Sequence, residues 1–165
     1  MIRVGLGQDS HAFEPDGSVK PLILGGVLFP GHPGLLANSD GDVVLHALFN
    51  ALSQAIGKRS LGIYADPICQ QGVTDSREYL KVALDMVRAA GYTVNNVGVS
   101  IEARRPKIEP VSEQMKRSLC ALLGLAGDQV GITATTGEGL TAFGRGEGIQ
   151  VFVIVSLDSG AQPVA

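Results

Sequence analysis

Residues 149–157 read IQVFVIVSL, and the fold turns on them. The run is rich in β-branched and aromatic residues and is apolar at odd and even places alike. That is the pattern of a strand covered on both faces, by helices or by another subunit. Working outward, 130–136 reads as a second strand. Tyr92–Glu102 is a third, with Val97, Val99 and Ile101 alternating, and Ile2–Gly7 is a fourth. Pro21–Phe29 is extended, broken at Gly25 and Gly26, and GHPG at 31–34 reads as a turn. Between Asp40 and Ile56, residues Val43, Leu45, Leu48, Leu52 and Ile56 fall at helical spacing among alanines. Ser39 or Asn38 is the expected N-cap of this helix, with Asp40 and Asp42 in its first turn. Asp75 caps a helix that runs to about Ala90 and stops at Gly91; Pro110 opens another that runs to Leu123 and stops at Gly124. Residues 58–74 show no period and read as a loop. Strands and helices mix without strict alternation, so the expected class is α+β: a two-layer sandwich with a mixed β-sheet and helices packed on one face. One domain is expected over 1–158, with a flexible tail, SGAQPVA, over 159–165.

Composition narrows the partners. A chain of 165 residues suffices for one packed core. Its formal charge of -3 lacks the basic footprint of a nucleic-acid binder, and no apolar run is long enough to span a membrane. The start, MIRVGLGQDSH, has no basic-then-apolar leader layout, and Cys69 and Cys120 stand alone rather than in CxxC pairs. Both point to a reduced, cytoplasmic protein. The 22 glycines gather in short motifs, which suggests loops built for close backbone approach.

The chemistry gathers around Asp9, His11 and His46. Asp9 and His11 are two apart in an extended run, so their side chains share a side. His46 lies four after Asp42, on the same helix face. A carboxylate and two imidazoles suit a Zn²⁺ ion with a fourth position left open, and an open position is what catalysis on a phosphate requires.

Five motifs extend this reading: GLGQDSHAF at 5–13, GLLANSDGDVVLHAL at 34–48, RPKIEP at 105–110, TATTGEGL at 133–140 and FGRGEG at 143–148. In order and spacing the chain closely resembles the 2-C-methyl-D-erythritol 2,4-cyclodiphosphate synthase family. The resemblance implies cyclisation of 4-diphosphocytidyl-2-C-methyl-D-erythritol 2-phosphate with release of CMP, in non-mevalonate isoprenoid synthesis. It implies Zn²⁺ on Asp9, His11 and His46, and Mg²⁺ or Mn²⁺ with the substrate diphosphate. It also implies a homotrimer whose sheets face the axis and whose sites lie between subunits. Residue by residue, Ser10, Asn38, Ser39 and Gly62 match positions around the bound substrate. Ala103, Pro106 and Lys107 match the cytidine segment, and Thr135, Thr136, Gly137 and Glu138 the diphosphate segment. Thr136 matches the group that stabilises the transition state, Glu138 lies near the second metal, and Arg145 and Glu147 lie at the trimer axis.

The chain also departs from the family pattern. Asn38 stands where a histidine is usual, Asn50 where an aspartate is usual, and Ser60-Leu61-Gly62 replaces Asp-Ile-Gly. IYADP at 63–67 replaces a Phe-Pro-Asp-Thr-Asp loop, Gly137 replaces a threonine, and Ala142 falls where phenylalanine is common. Losing one oriented charge-stabilising group costs a factor of about 10²–10³ in rate. Two other functions therefore stay open beside the synthase: a non-catalytic trimeric relative that binds a nucleotide or isoprenoid diphosphate, and a metal-dependent phosphoesterase.

Overall fold

The computed structural model describes residues 1–160. Strand β1 (Ile2–Ala12), the hairpin β2 (Pro21–Leu24) and β3 (Val27–Pro33), and helices α1 (Val43–Ala55), α2 (Leu61–Cys69) and α3 (Ser76–Ala89) form the first part of the chain. Strand β4 (Thr93–Glu102), helix α4 (Ser112–Leu123), β5 (Val130–Thr135) and β6 (Gly148–Asp158) complete it. Four strands make one sheet in the order β1-β6-β4-β5. In it β6 runs antiparallel to both neighbours, and β4 is parallel to β5. The sheet is therefore mixed and the class α+β, as the order of elements implied.

The two faces of the sheet differ. On β6, Val151, Val153, Val155 and Leu157 are fully buried beneath the helical layer, whereas Phe152 and Ile154 are exposed on the other side. Ile2, Val4 and Leu6 of β1 are exposed as well, and Leu6 stands directly opposite Ile154. The both-sided apolar pattern thus has its cover on one face only within this chain.

Helix α1 seats on β1 unusually closely. Gly5 and Gly7 face it, and Ala47, Ala51 and Ala55 recur every four residues along the facing side. A Cβ on Gly5 would lie 2.9 Å from the Ala55 methyl and collide with the Ala51 carbonyl oxygen; one on Gly7 would collide with the Ala47 carbonyl. Small residues on both surfaces bring the two backbones together. Because β1 pairs with β6 along its whole length, out to Ala12 opposite Gly148, it runs past the expected end at Gly7. The same odd face therefore continues through Asp9 and His11.

Three expectations are corrected. The N-cap of α1 is Asp42, not Ser39 or Asn38. Its buried carboxyl accepts the N–H groups of Gly25 (2.8 Å), Gly26 (2.7 Å) and Leu45 (3.1 Å). Burial pushes its pKa up to about 6 even against those three donors. The GHPG stretch does not end a strand: β3 continues to Pro33, with a shift of register against β2 and Gly31 at positive φ. His32 there is half-buried. The stretch 58–74 is not a loop, because it contains α2. Leu61, Tyr64, Ala65 and Ile68 follow helical spacing and pack inward, a period hidden by Gly62 and Pro67. Of the expected tail, Ser159 bonds the N-terminus, its Oγ accepting from the Met1 ammonium at 2.8 Å; residues 161–165 lie outside the described part.

Replacing Gly7 with alanine should push α1 off β1 and destabilise the chain by about 1–3 kcal/mol, read as a lowered urea midpoint. An unchanged midpoint would show that the close approach is not needed.

Candidate active site

The odd face of β1 and the first turns of α1 meet at three side chains. Asp9 Oδ2 lies 2.9 Å from His11 Nε2 and 3.0 Å from His46 Nδ1, and the two nitrogens are 3.3 Å apart. The expected ligands are thus brought together, each offering an atom within the reach of one ion. The outer nitrogens decide what the inner ones present. His11 Nδ1 donates to the Leu36 carbonyl at 2.7 Å, which in the neutral ring commits its one hydrogen there and leaves Nε2 with a lone pair toward Asp9. Lys20 holds that segment, donating to the carbonyls of Leu35 (2.8 Å) and Ala37 (2.9 Å). His46 Nε2 lies 2.8 Å from Ser76 Oγ and 3.2 Å from Ser39 Oγ.

Burial alone would raise the Asp9 carboxyl, but the imidazoles of His11 and His46 beside it outweigh burial and hold it at about 2. The His11 imidazole is raised above its ordinary 6.5, chiefly by its hydrogen bond with Asp9, against the opposing effect of burial. A carboxylate that stays ionised and two imidazole nitrogens aimed at one point form a donor set suited to a divalent transition-metal ion.

The triad forms one wall of a cleft of about 630 Å³, bordered by Asn38, Ser39, Ser60, Gly62, Asp66 and Cys69. Asn38, Ser39 and Gly62 are therefore beside the metal-ligand set. Ser10 lies between two ligands, but by strand alternation its side chain points to the opposite face of the sheet. The remaining candidates collect at the C-terminal ends of β4 and β5. Lys107, Thr136 and Glu138, with Arg104, line a separate hollow of about 360 Å³. The Thr135 hydroxyl accepts the Gly137 N–H at 3.2 Å and the Thr136 hydroxyl accepts the Glu138 N–H at 3.4 Å. These bonds hold a tight turn in which Glu138 takes a left-handed φ of 50°. Ala103 and Pro106 are buried in its support, and the Ala103 N–H donates to the Thr135 carbonyl at 3.0 Å. Arg145 is exposed and paired with Glu147 at 2.8 Å. Among the described residues none lines both hollows.

Two departures acquire a local reason. Asn50 Oδ1 accepts the Leu61 N–H at 2.9 Å, at the start of α2, while its Nδ2 donates to the Gln8 carbonyl at 3.3 Å. An amide does both, and an ionised aspartate does only the first. At position 137 a Cβ would collide with the Glu102 carboxylate, which also accepts the Thr141 hydroxyl. Glycine fits that space and the positive φ of 69°. Sequence reasoning did not find Lys20, Ser76 or Asp40 as neighbours of the ligands. Asp40 lies inside SDGD and Ser76 at a helix start, whereas Lys20, just before β2, carries no such signal.

The fold and the two hollows define a mixed α+β protein with an Asp-His-His group able to hold a metal ion in an open cleft. A profile of the YgbB family matches residues 2–158. The 2-C-methyl-D-erythritol 2,4-cyclodiphosphate synthase of Chlamydia trachomatis serovar L2b is 45% identical over 158 residues, spanning 95% of this chain and 88% of its own. A solved cyclodiphosphate synthase in its CDP-bound form superposes with a TM-score of 0.84 at 35% identity, covering 94% of this chain and 100% of the other. The bifunctional IspDF of Campylobacter jejuni superposes at 0.86, with 35% identity and 95% of this chain covered; the chain spans 42% of that longer protein. The chain belongs to the YgbB family, that of the cyclodiphosphate synthases.

Metal uptake must displace a proton from His11, so affinity should fall as pH drops through the His11 pKa, above 6.5. Asp9, ionised down to about 2, imposes no such limit. In the metal-free chain the signs differ. The raised His11 pKa stabilises the fold below 6.5 and that contribution is lost as pH rises through the folded value. The depressed Asp9 pKa stabilises above 3.8 and is lost as pH falls toward 2. Cobalt titrations across this range and melting curves without metal would check both; cobalt affinity independent of pH would contradict the assignment of His11.

Proposed function

We propose that this chain cyclises 4-diphosphocytidyl-2-C-methyl-D-erythritol 2-phosphate to the 2,4-cyclodiphosphate, with CMP as the leaving group. The observation that carries this is the convergence of Asp9, His11 and His46 on one wall of an open cleft, in a chain of this family. In the reaction an oxygen of the substrate's 2-phosphate bonds to the β-phosphorus. The bond from that phosphorus to the bridging oxygen breaks, and CMP leaves with that oxygen. Water is not consumed, so the protein's task is to position, to exclude water and to offset charge.

Zn²⁺ is the ion proposed for the triad, and Mg²⁺ or Mn²⁺ for the substrate diphosphate near Glu138. Bound there, the cations supply Lewis-acid polarisation of phosphate oxygens. The side chains do the rest. Asp9, His11 and His46 present fixed lone pairs. The Ser39 hydroxyl accepts from the Gly41 N–H at 3.2 Å and has its own hydrogen available for a phosphate oxygen, while Asn38 offers an amide N–H at the rim. Gly62, at the start of α2, lets the sugar portion approach the helix. The backbone of Ser10 joins the substrate contacts. Thr135, Thr136 and Gly137 cradle the nucleotide diphosphate, with the Thr136 hydroxyl donating to charge that develops at the reacting phosphorus. Ala103, Pro106 and Lys107 hold the cytidine.

The two hollows do not merge within one chain, and the sheet leaves Ile2, Val4, Leu6, Phe152 and Ile154 exposed. A homotrimer joined through this face, with the triad cleft of one chain against the nucleotide hollow of its neighbour, accounts for both. Arg145 and Glu147 then lie toward the axis, and residues 1–158 act as one unit. Among the described residues no helix is long and apolar enough to cross a membrane, in keeping with a cytoplasmic place.

Protein loaded with Zn²⁺ and Mg²⁺ should release CMP and cyclic diphosphate in equal amounts, without inorganic phosphate. CDP binding without turnover would instead indicate a non-catalytic binder. His46→Ala should lose zinc and turnover together, because two remaining ligands bind far more weakly. Thr136→Ala should keep zinc while kcat falls about 10²–10³-fold. Normal zinc stoichiometry in His46→Ala would refute the ligand assignment. Ile154→Glu should shift the mass in light scattering from three chains to one; an unchanged trimer would place the interface elsewhere.

A further inference from the structure

The second imidazole of the triad is oriented by a buried side chain that lies outside the cleft chemistry described so far. Ser76 opens α3 and is 1% exposed. Its Oγ lies 2.8 Å from His46 Nε2 and 2.5 Å from Asp40 Oδ1, and its N–H donates to Asp40 Oδ2 at 3.0 Å. The Asp42 N–H also reaches Asp40 Oδ1, at 3.1 Å. Every neighbour of the Asp40 carboxylate here is a donor, and a carboxylate only accepts. The hydrogen of the Ser76 hydroxyl is thereby committed to Asp40, and its oxygen turns lone pairs toward His46. The acceptor so formed lies 2.8 Å from Nε2, nearer than the Asp9 carboxylate lies to Nδ1 at 3.0 Å, which favours the His46 hydrogen on Nε2 and leaves Nδ1 bare where Asp9 and His11 converge. The other nearby hydroxyl, Ser39, is more distant, at 3.2 Å.

We infer that Ser76, held by Asp40, is a positioning residue that fixes the tautomer and ring orientation of His46 for metal binding. This rests on the metal reading of the triad. The chain Asp40–Ser76–His46 does for one histidine what the Leu36 carbonyl does for the other. Partners of this kind raise ligand basicity and hold the ring, and their loss weakens metal affinity about 10–100-fold. The arrangement also ties a metal ligand to the first residue of α3. The Asp40 N–H donates to the Thr74 carbonyl at 2.8 Å, so the segment between α2 and α3 is held to the same point.

The test uses the full chain and two variants. Ser76→Ala removes the hydroxyl; Asp40→Asn keeps the volume and removes the purely accepting carboxylate, which covers the case in which Ser76→Ala folds poorly. Zinc dissociation constants are measured by competition with a chromophoric chelator. The His46 tautomer is read by long-range ¹H–¹⁵N correlation at alkaline pH, with and without zinc. The expected result is Nε2–H on His46 in the parent chain and zinc binding weakened about 10–100-fold in both variants, with the variants' metal-free melting temperatures reported alongside. A purely structural role would lower those melting temperatures while leaving the zinc constant of the folded fraction unchanged. Nδ1–H on His46 in the parent chain, or zinc constants within twofold of it in both variants, would overturn the proposal. A parent chain that binds no zinc would defeat the metal reading itself, and the metal-free spectrum would still decide the tautomer.

Discussion

The seat of α1 on β1 sets everything else. Two glycines and a stripe of three alanines let a helix backbone approach a strand backbone closely, and the chemistry begins where the small residues end. Asp9 and His11 continue the strand face that Gly5 and Gly7 start, and His46 stands next to Ala47 at the beginning of the helix. Side chains 35 residues apart in sequence, His11 and His46, are thus carried close by backbone packing, and their ring nitrogens stand 3.3 Å apart. Flexible side chains have little distance left to cover, which keeps the entropy lost on ordering them small.

Within that frame the polar groups obey a strict direction of donation. A backbone carbonyl takes the outer hydrogen of His11, and a hydroxyl already committed to a carboxylate takes that of His46. Three acceptors are left facing one another around Asp9. Such a cluster is costly to bury without positive charge between its members. In the metal-free chain a proton on His11 meets part of that demand, which is why its pKa rises and that of Asp9 falls. The cation and the proton therefore compete for the same electrostatic deficit.

Much of this was legible in the sequence, and what was not has physical causes. The alternation of Val97, Val99 and Ile101 and the helical spacing from Val43 to Leu52 placed β4 and α1 correctly, because both elements bury one regular stripe. The ligand triad was readable because Asp9 and His11 stand two apart in an extended run and His46 follows a helix start in a second motif. The start of α1 was misplaced because Ser39, expected with Asn38 as the cap, has good capping chemistry, but its hydroxyl is engaged with the Gly41 N–H and lies beside His46. Only the tertiary fold brings the Gly25 and Gly26 N–H groups to Asp42 and makes it the cap. Helix α2 was hidden because Gly62 and Pro67 are poor helix residues, and its start is secured by Asn50 from another helix rather than by its own Ser60. The end of β1 was drawn too early because polar Asp9 and His11 break the apolar pattern, although β6 pairs with them all the same.

Strand β1 writes two messages in alternate letters. Its odd residues meet the helix and then supply ligands, while Ile2, Val4 and Leu6 lie on the bare side of the sheet. A one-residue insertion or deletion between Gly5 and Asp9 would swap the letters, turning aliphatic side chains into the helix and the carboxylate outward. Length changes in the segment joining β1 to β2, around Gly17, carry no such penalty. Drift in the length of this chain is accordingly confined to its connections, and the reading frame of its first strand is fixed by both faces at once.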